Sequence, residues 1–187
     1  MRRLVAAPVA LLFVLTLAGC GNSKSSSSSK DTSETTTSLA SSTTEAAPLT
    51  STPTDKIPEI GNATDLTKAP SVSPGAAPPP TELQFKDLVA GNGAVAKSTD
   101  TVNVQYYGAN YADGKEFDST WTRGGQPTSF PLNGVIKGFS LAITGMKVGS
   151  RRVVVIPPDL GYGANGSPPA VGPNETLVFV IDLVGIQ

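Results

Sequence analysis

Val102-Asn103-Val104-Gln105-Tyr106-Tyr107-Gly108, followed by Asp113-Gly114 and then Phe117, is the stretch on which the fold turns. Val102, Val104 and Tyr106 alternate with Asn103, Gln105 and Tyr107, the period of two that marks a strand with one buried face. Asp113-Gly114 is a strong hairpin signal and turns the chain back into a second strand through Phe117. Residues 83–88 alternate in the same way, and residues 129–132 are a short strand candidate. Residues 151–156 and 177–186 are rich in β-branched side chains and read as buried strands. Within residues 135–144 the apolar Ile136, Phe139 and Ile143 fall three and four apart, one face of a short helix that Gly145 ends. Several strands with one short helix predict an α+β fold, an antiparallel sheet curled over that helix. The Gly-, Pro-, Asn- and Ser-rich loop over residues 159–175 is long for so small a domain, and such loops usually carry function.

The chain has 187 residues, but apart from Phe13 every Phe, Tyr and Trp lies between Phe85 and Phe179. Only that stretch owns the large apolar side chains a core needs, so one folded domain is expected, over residues 81–187. The formal charge is −1 and the basic residues are scattered, which excludes the cationic stripe that neutralises nucleic-acid phosphates. Histidine is absent. Ser-His-Asp and Cys-His catalysis are thereby excluded along with most zinc sites, and neither metal nor cofactor is expected. Cys20 is the single cysteine, so no internal disulfide can form.

That cysteine has another use. Arg2 and Arg3 precede an apolar run over residues 4–17, shorter than a spanning helix and ending in Leu17-Ala18-Gly19-Cys20. The pattern resembles a bacterial lipobox. It implies a signal peptide over residues 1–19, cleavage before Cys20, and lipidation of the Cys20 sulfur. Two or more acyl chains hold a protein stably on a membrane. Residues 20–80 lack aromatic residues and are built of Ser, Thr, Pro and Ala, so they are expected to form a disordered tether from lipidated Cys20 to the domain. The expected location is outside the cytoplasm, on the bacterial cell membrane.

Four segments carry a further likeness: residues 102–108, Asp113-Gly114-Lys115-Glu116-Phe117-Asp118-Ser119-Thr120, Val135-Ile136-Lys137-Gly138-Phe139, and Pro158-Asp159-Leu160-Gly161-Tyr162-Gly163-Ala164. In that order and spacing they resemble the FKBP-type peptidyl-prolyl cis-trans isomerases, over about residues 81–187. The resemblance implies an FKBP-like curved antiparallel sheet wrapped around one short helix, with an apolar pocket between. It implies that Tyr106, Phe117, Val135, Ile136, Phe139, Tyr162 and Phe179 line the pocket, with Phe139 as its floor. It further implies that Val171 sits at the tip of the long loop, Asp118 at the pocket mouth, and Arg123 paired near it. Phe139 stands where many members carry Trp, Thr128 where an aromatic residue is frequent, and Ser167 where His is common.

The expected activity is acceleration of X-Pro bond rotation in secreted or envelope proteins by a monomer, with proline-containing polypeptides as substrates and macrolide inhibitors as a second ligand class. Asp118, Tyr162 and Tyr106 are the catalytic candidates on this resemblance. Tyr162 would donate to a substrate carbonyl, and Asp118 would act electrostatically, fixed by Arg123 and Tyr106. Two alternatives stand beside it: a proline-peptide receptor or holding chaperone without turnover, and a purely structural envelope lipoprotein.

Overall fold

The computed structural model describes residues 56–187, so the signal peptide, Cys20 and the greater part of the expected tether lie outside the described residues. In chain order the elements are β1 (Ile60–Gly61), β2 (Ser71–Val72), β3 (Gln84–Val89), β4 (Thr101–Asn110), β5 (Glu116–Ser119), β6 (Thr128–Pro131), α1 (Lys137–Ile143), β7 (Arg151–Ile156) and β8 (Leu177–Ile186). β4 buries Val102, Val104 and Tyr106 and leaves the residues between them half-buried. The main sheet runs β3-β7-β8-β4-β5, antiparallel throughout. β6 shares with β5 the outer edge of β4, pairing Thr101 to Val104, while β5 pairs Tyr107 to Ala109. That edge is therefore interrupted at Gln105 and Tyr106, where the chain between β5 and β6 loops out. At the opposite rim, β3 carries an irregularity between Asp87 and Val89.

The antiparallel sheet around one short helix is the expected fold, and β7 and β8 occupy the strand positions expected for them. The helix is shorter than its apolar spacing suggests: Val135 is extended, with φ −109° and ψ 171°, and α1 begins at Lys137. α1 and one sheet face enclose the larger core, in which Phe139, Ile143, Val154, Ile156, Phe179 and Ile181 pack together.

The tether boundary at residue 80 does not fit the structure. Residues 56–80 are folded, forming a strap whose short β1–β2 pair lies in a second, two-stranded sheet. Ile57, Ile60 and Val72 of the strap pack on Tyr107, Ala109, Val153, Val155, Val178 and Val180, the other face of the main sheet. With both faces covered, every residue of β7 is buried, although an antiparallel sheet commonly leaves one face to water. Polar contacts tie the strap down. Arg151, 0% exposed, forms a two-pronged pair with Asp182 at 2.5 and 2.7 Å. Its guanidinium also donates to the strap carbonyls of Asn62 at 2.7 Å and Asp65 at 3.0 Å. The Tyr111 hydroxyl lies 2.9 Å from the Lys56 carbonyl oxygen and 3.0 Å from that of Ala76. Gly75 passes so close to the Tyr111 ring that a Cβ there would stand 2.2 Å from it.

Candidate functional site

On the helix side of the sheet, five rings meet edge to face. Phe139, from α1, stands 5.2 Å from Phe179 of β8, 6.0 Å from Tyr106 of β4 and 6.2 Å from Phe130 of β6, centroid to centroid. Phe117 of β5 closes the set, 5.5 Å from Phe179 at an interplanar angle of 86°. Tilted and edge-to-face contacts of this kind favour the ring quadrupoles and add to the gain from burial. Phe117 and Phe179 approach each other over Gly108, where a Cβ would meet the Phe117 ring at 2.8 Å and the Phe179 ring at 3.0 Å. Glycine in the Tyr107-Gly108 pair is thus what lets two rings lie against the strand.

The depth of these groups is graded. Phe139, Phe179, Tyr106 and Val171 are buried, whereas Phe117, Phe130, Val135 and Ile136 are only half-buried against the same core. Tyr162, from the turn after β7, is 37% exposed. The result is an apolar cluster whose rim, formed by Phe117, Phe130, Val135, Ile136 and Tyr162, reaches solvent. Val171, expected at a loop tip, is held by its pairing with Ser167 and reaches back into the core.

One side of the rim is polar. The Tyr106 hydroxyl donates to Oδ2 of Asp118 and accepts from Nη2 of Arg123 at 2.6 Å. Nε of Arg123 lies 3.1 Å from Oδ1 of Asp118 and 3.3 Å from the Ser119 carbonyl oxygen. The guanidinium also stands 5.6 Å from the Tyr106 ring centroid. Asp118 and Arg123 are each about half exposed, so this ion pair contributes little to stability. Its role is geometric: it fixes a carboxylate beside an apolar surface. Burial first, then the hydrogen bond to Asp118 and its charge, push the Tyr106 phenol well above the ordinary tyrosine range. Burial followed by the Asp118 charge raises Tyr162 as well. Both phenols therefore stay protonated and able to donate at neutral pH.

The ten residues expected at the site are thus brought together: seven in one apolar core, Asp118 and Arg123 bonded to Tyr106, and Tyr162 within the electrostatic reach of both Asp118 and Tyr106. Sequence reasoning missed Phe130. It lies in the expected β6 strand, and alternation along β6 would have turned it to the same face as the Tyr106 ring it touches at 5.9 Å.

Comparison with known proteins agrees with this fold. The model of the FKBP-type peptidyl-prolyl cis-trans isomerase family matches residues 93–184, a span that leaves out the strap. A probable FK506-binding protein of Corynebacterium glutamicum is 44% identical over 115 residues, covering 62% of this chain and 96% of the relative. The crystal structure of FkpA from Escherichia coli superposes with a TM-score of 0.53 at 44% identity, over 57% of this chain and 49% of that one. A peptidyl-prolyl cis-trans isomerase from Pseudomonas syringae superposes with a TM-score of 0.52 at 34% identity, over 56% of this chain and 75% of that one. Sheet, helix, ring set and family match converge, and the chain belongs to the FKBP-type peptidyl-prolyl cis-trans isomerases.

Proposed function

We propose that the chain accelerates X-Pro rotation in exported polypeptides by seating the proline ring on Phe139, Phe179, Phe117 and Tyr106 beneath the Asp118 carboxylate. The observation that carries this reading is the Tyr106–Asp118–Arg123 group standing at the edge of an otherwise apolar ring set. Turning a peptide bond breaks amide conjugation against a barrier of about 18–20 kcal/mol, and X-Pro bonds take tens to hundreds of seconds unaided. No bond is made or cut, so histidine is not needed. The planar amide is more dipolar than the twisted one, and water holds it in the ground state; an apolar seat removes that water. The Asp118 charge disfavours the planar carbonyl further, and the exposed Tyr162 hydroxyl supplies a donor to a neighbouring substrate carbonyl. Each ~1.4 kcal/mol taken from the barrier is a tenfold gain in rate.

In a protease-coupled assay on Ala-Leu-Pro-Phe peptides, Asp118→Asn is expected to lower kcat/KM about tenfold, the equivalent of ~1.4 kcal/mol. Unchanged turnover in that variant would remove the carboxylate from the mechanism. Background turnover by the unmodified chain with peptide binding intact would favour the receptor reading instead.

The same proposal places the protein on the outer side of a bacterial membrane, as a monomer held by lipid on Cys20. The lone cysteine after Leu17-Ala18-Gly19 supports this. Radiolabelled palmitate is expected to enter the unmodified chain and not Cys20→Ala; equal labelling of both would refute the anchor. Macrolide inhibitors are proposed as competing ligands of the ring set.

A further inference from the structure

We infer that Gln105 and Thr120 are positioning residues for the reaction: together they set the loop that delivers Arg123 to Asp118 and Tyr106. The inference rests on the catalytic reading of that group. The interruption of the β4 edge is its starting point. β5 pairs as far as Tyr107 and β6 as far as Val104, so at Gln105 and Tyr106 no strand continues the ladder. Thr120 takes over there. Its backbone N–H donates to the Tyr106 carbonyl oxygen at 3.0 Å, and its Oγ1 accepts from the Tyr106 N–H at 3.0 Å. A side-chain hydroxyl thus stands in for the missing strand at the residue that carries the phenol.

The Gln105 amide extends the same network across the loop. Its Oε1 accepts from Thr120 Oγ1 at 3.0 Å, and its Nε2 donates to the Gly125 carbonyl oxygen at 3.1 Å. The Gly125 N–H returns a bond to the Thr120 carbonyl oxygen at 2.9 Å. Residues 120–125 are therefore closed at both ends, with Arg123 between the two fixed points. This closure matters because Gly124 and Gly125 have φ of +101° and +70°, where a Cβ at either would meet nothing within 4 Å. Neither residue has a side chain with which to anchor itself, and the Gly125 hydrogen bonds to Gln105 and Thr120 pin the end of the loop. Gln105 neighbours Tyr106 on an alternating strand and so points away from the ring set; it reaches the reaction only through the loop. A guanidinium displaced by an ångström loses its bond to the phenol and its fit to the carboxylate, and small misplacements of this kind are costly to catalysis.

The test is a coupling measurement on the full-length chain by the protease-coupled assay. Gln105→Ala is expected to lower kcat/KM about three- to tenfold while the thermal midpoint changes little, and Thr120→Val to lower it similarly. Thr120→Ser, which keeps the hydroxyl, is expected to restore most of the rate. In an Arg123→Ala background, Gln105→Ala is expected to have almost no further effect, because its influence passes through Arg123. An equal loss in both backgrounds, or no loss in the unmodified background, would overturn the assignment. Loss of activity on Asp118→Asn with no effect of Gln105→Ala would refute the brace and leave the catalytic reading intact.

Discussion

Arg151→Ala is expected to lower the free energy of unfolding by about 3–5 kcal/mol, the range for stripping one partner from a buried ion pair. The side chain is fully enclosed, and its removal leaves the Asp182 carboxylate buried without its cation. The Asn62 and Asp65 carbonyls lose the guanidinium and keep only the backbone N–H groups of Asp65 and Lys68, so the strap loses its main polar tie to the sheet. Urea titration should show a fall in midpoint, and proteolysis should then cut first within residues 56–80. A double replacement, Arg151→Met with Asp182→Leu, should cost less than Arg151→Ala, because no unpaired charge is left behind. An unchanged midpoint in Arg151→Ala would mean that the strap is dispensable. Removing residues 56–80 is expected to be destabilising for the same reason, since it bares the apolar face that Ile57, Ile60 and Val72 cover.

Phe139→Ala is the second large effect, with a stability loss of about 3–5 kcal/mol, as for other buried Phe-to-Ala changes. Three rings lean on Phe139, so its removal opens a void between Tyr106, Phe130 and Phe179. The same void takes away the surface on which the proline ring would rest, and kcat/KM is expected to fall by more than about tenfold. Phe139→Trp, the residue common at this place in the family, is expected to fold and keep most of its turnover. If Phe139→Ala melts low yet retains its full rate on the folded fraction, the proline does not sit on this ring.

What was legible in the sequence follows from how locally each signal is written. β7 and the first seven residues of β8 are buried on both faces and rich in β-branched residues, and β4 alternates from Thr101 to Gly108, so each announces itself within a few residues. The strap does not, because what orders it lies far along the chain. Residues 56–80 have too little apolar surface to fold alone, and their carbonyls are collected by an arginine about 85 positions later. The one available hint was Arg151-Arg152 within a strand otherwise made of Val and Ile, since a buried guanidinium must find acceptors. Arg152 finds its own in Asp87 and the Ala142 carbonyl, over the Phe85 ring at 4.1 Å.

The site was legible through its rings and carboxylate, which the family resemblance marks residue by residue. The bonds that hold Arg123 in place were not. Gln105 reads in sequence only as the polar side of an alternating strand, and nothing in that alternation says that a loop twenty residues later will close upon it. Phe130 was missed for a different reason: alternation along β6 turns it toward the rings, but the resemblance that marks the other rings does not name it.

The rims of the main sheet bear on how the protein behaves when crowded. β3, one outer strand, is six residues long, kinked between Asp87 and Val89, and presents Lys86 and Asp87. At the far side, β5 and β6 are four residues each and are parted by the loop that Thr120 begins. No rim offers the long, flat, uncharged backbone that another copy would need to add itself as a new strand. Short, kinked and charged rims of this kind give a neighbouring chain no template to pair with.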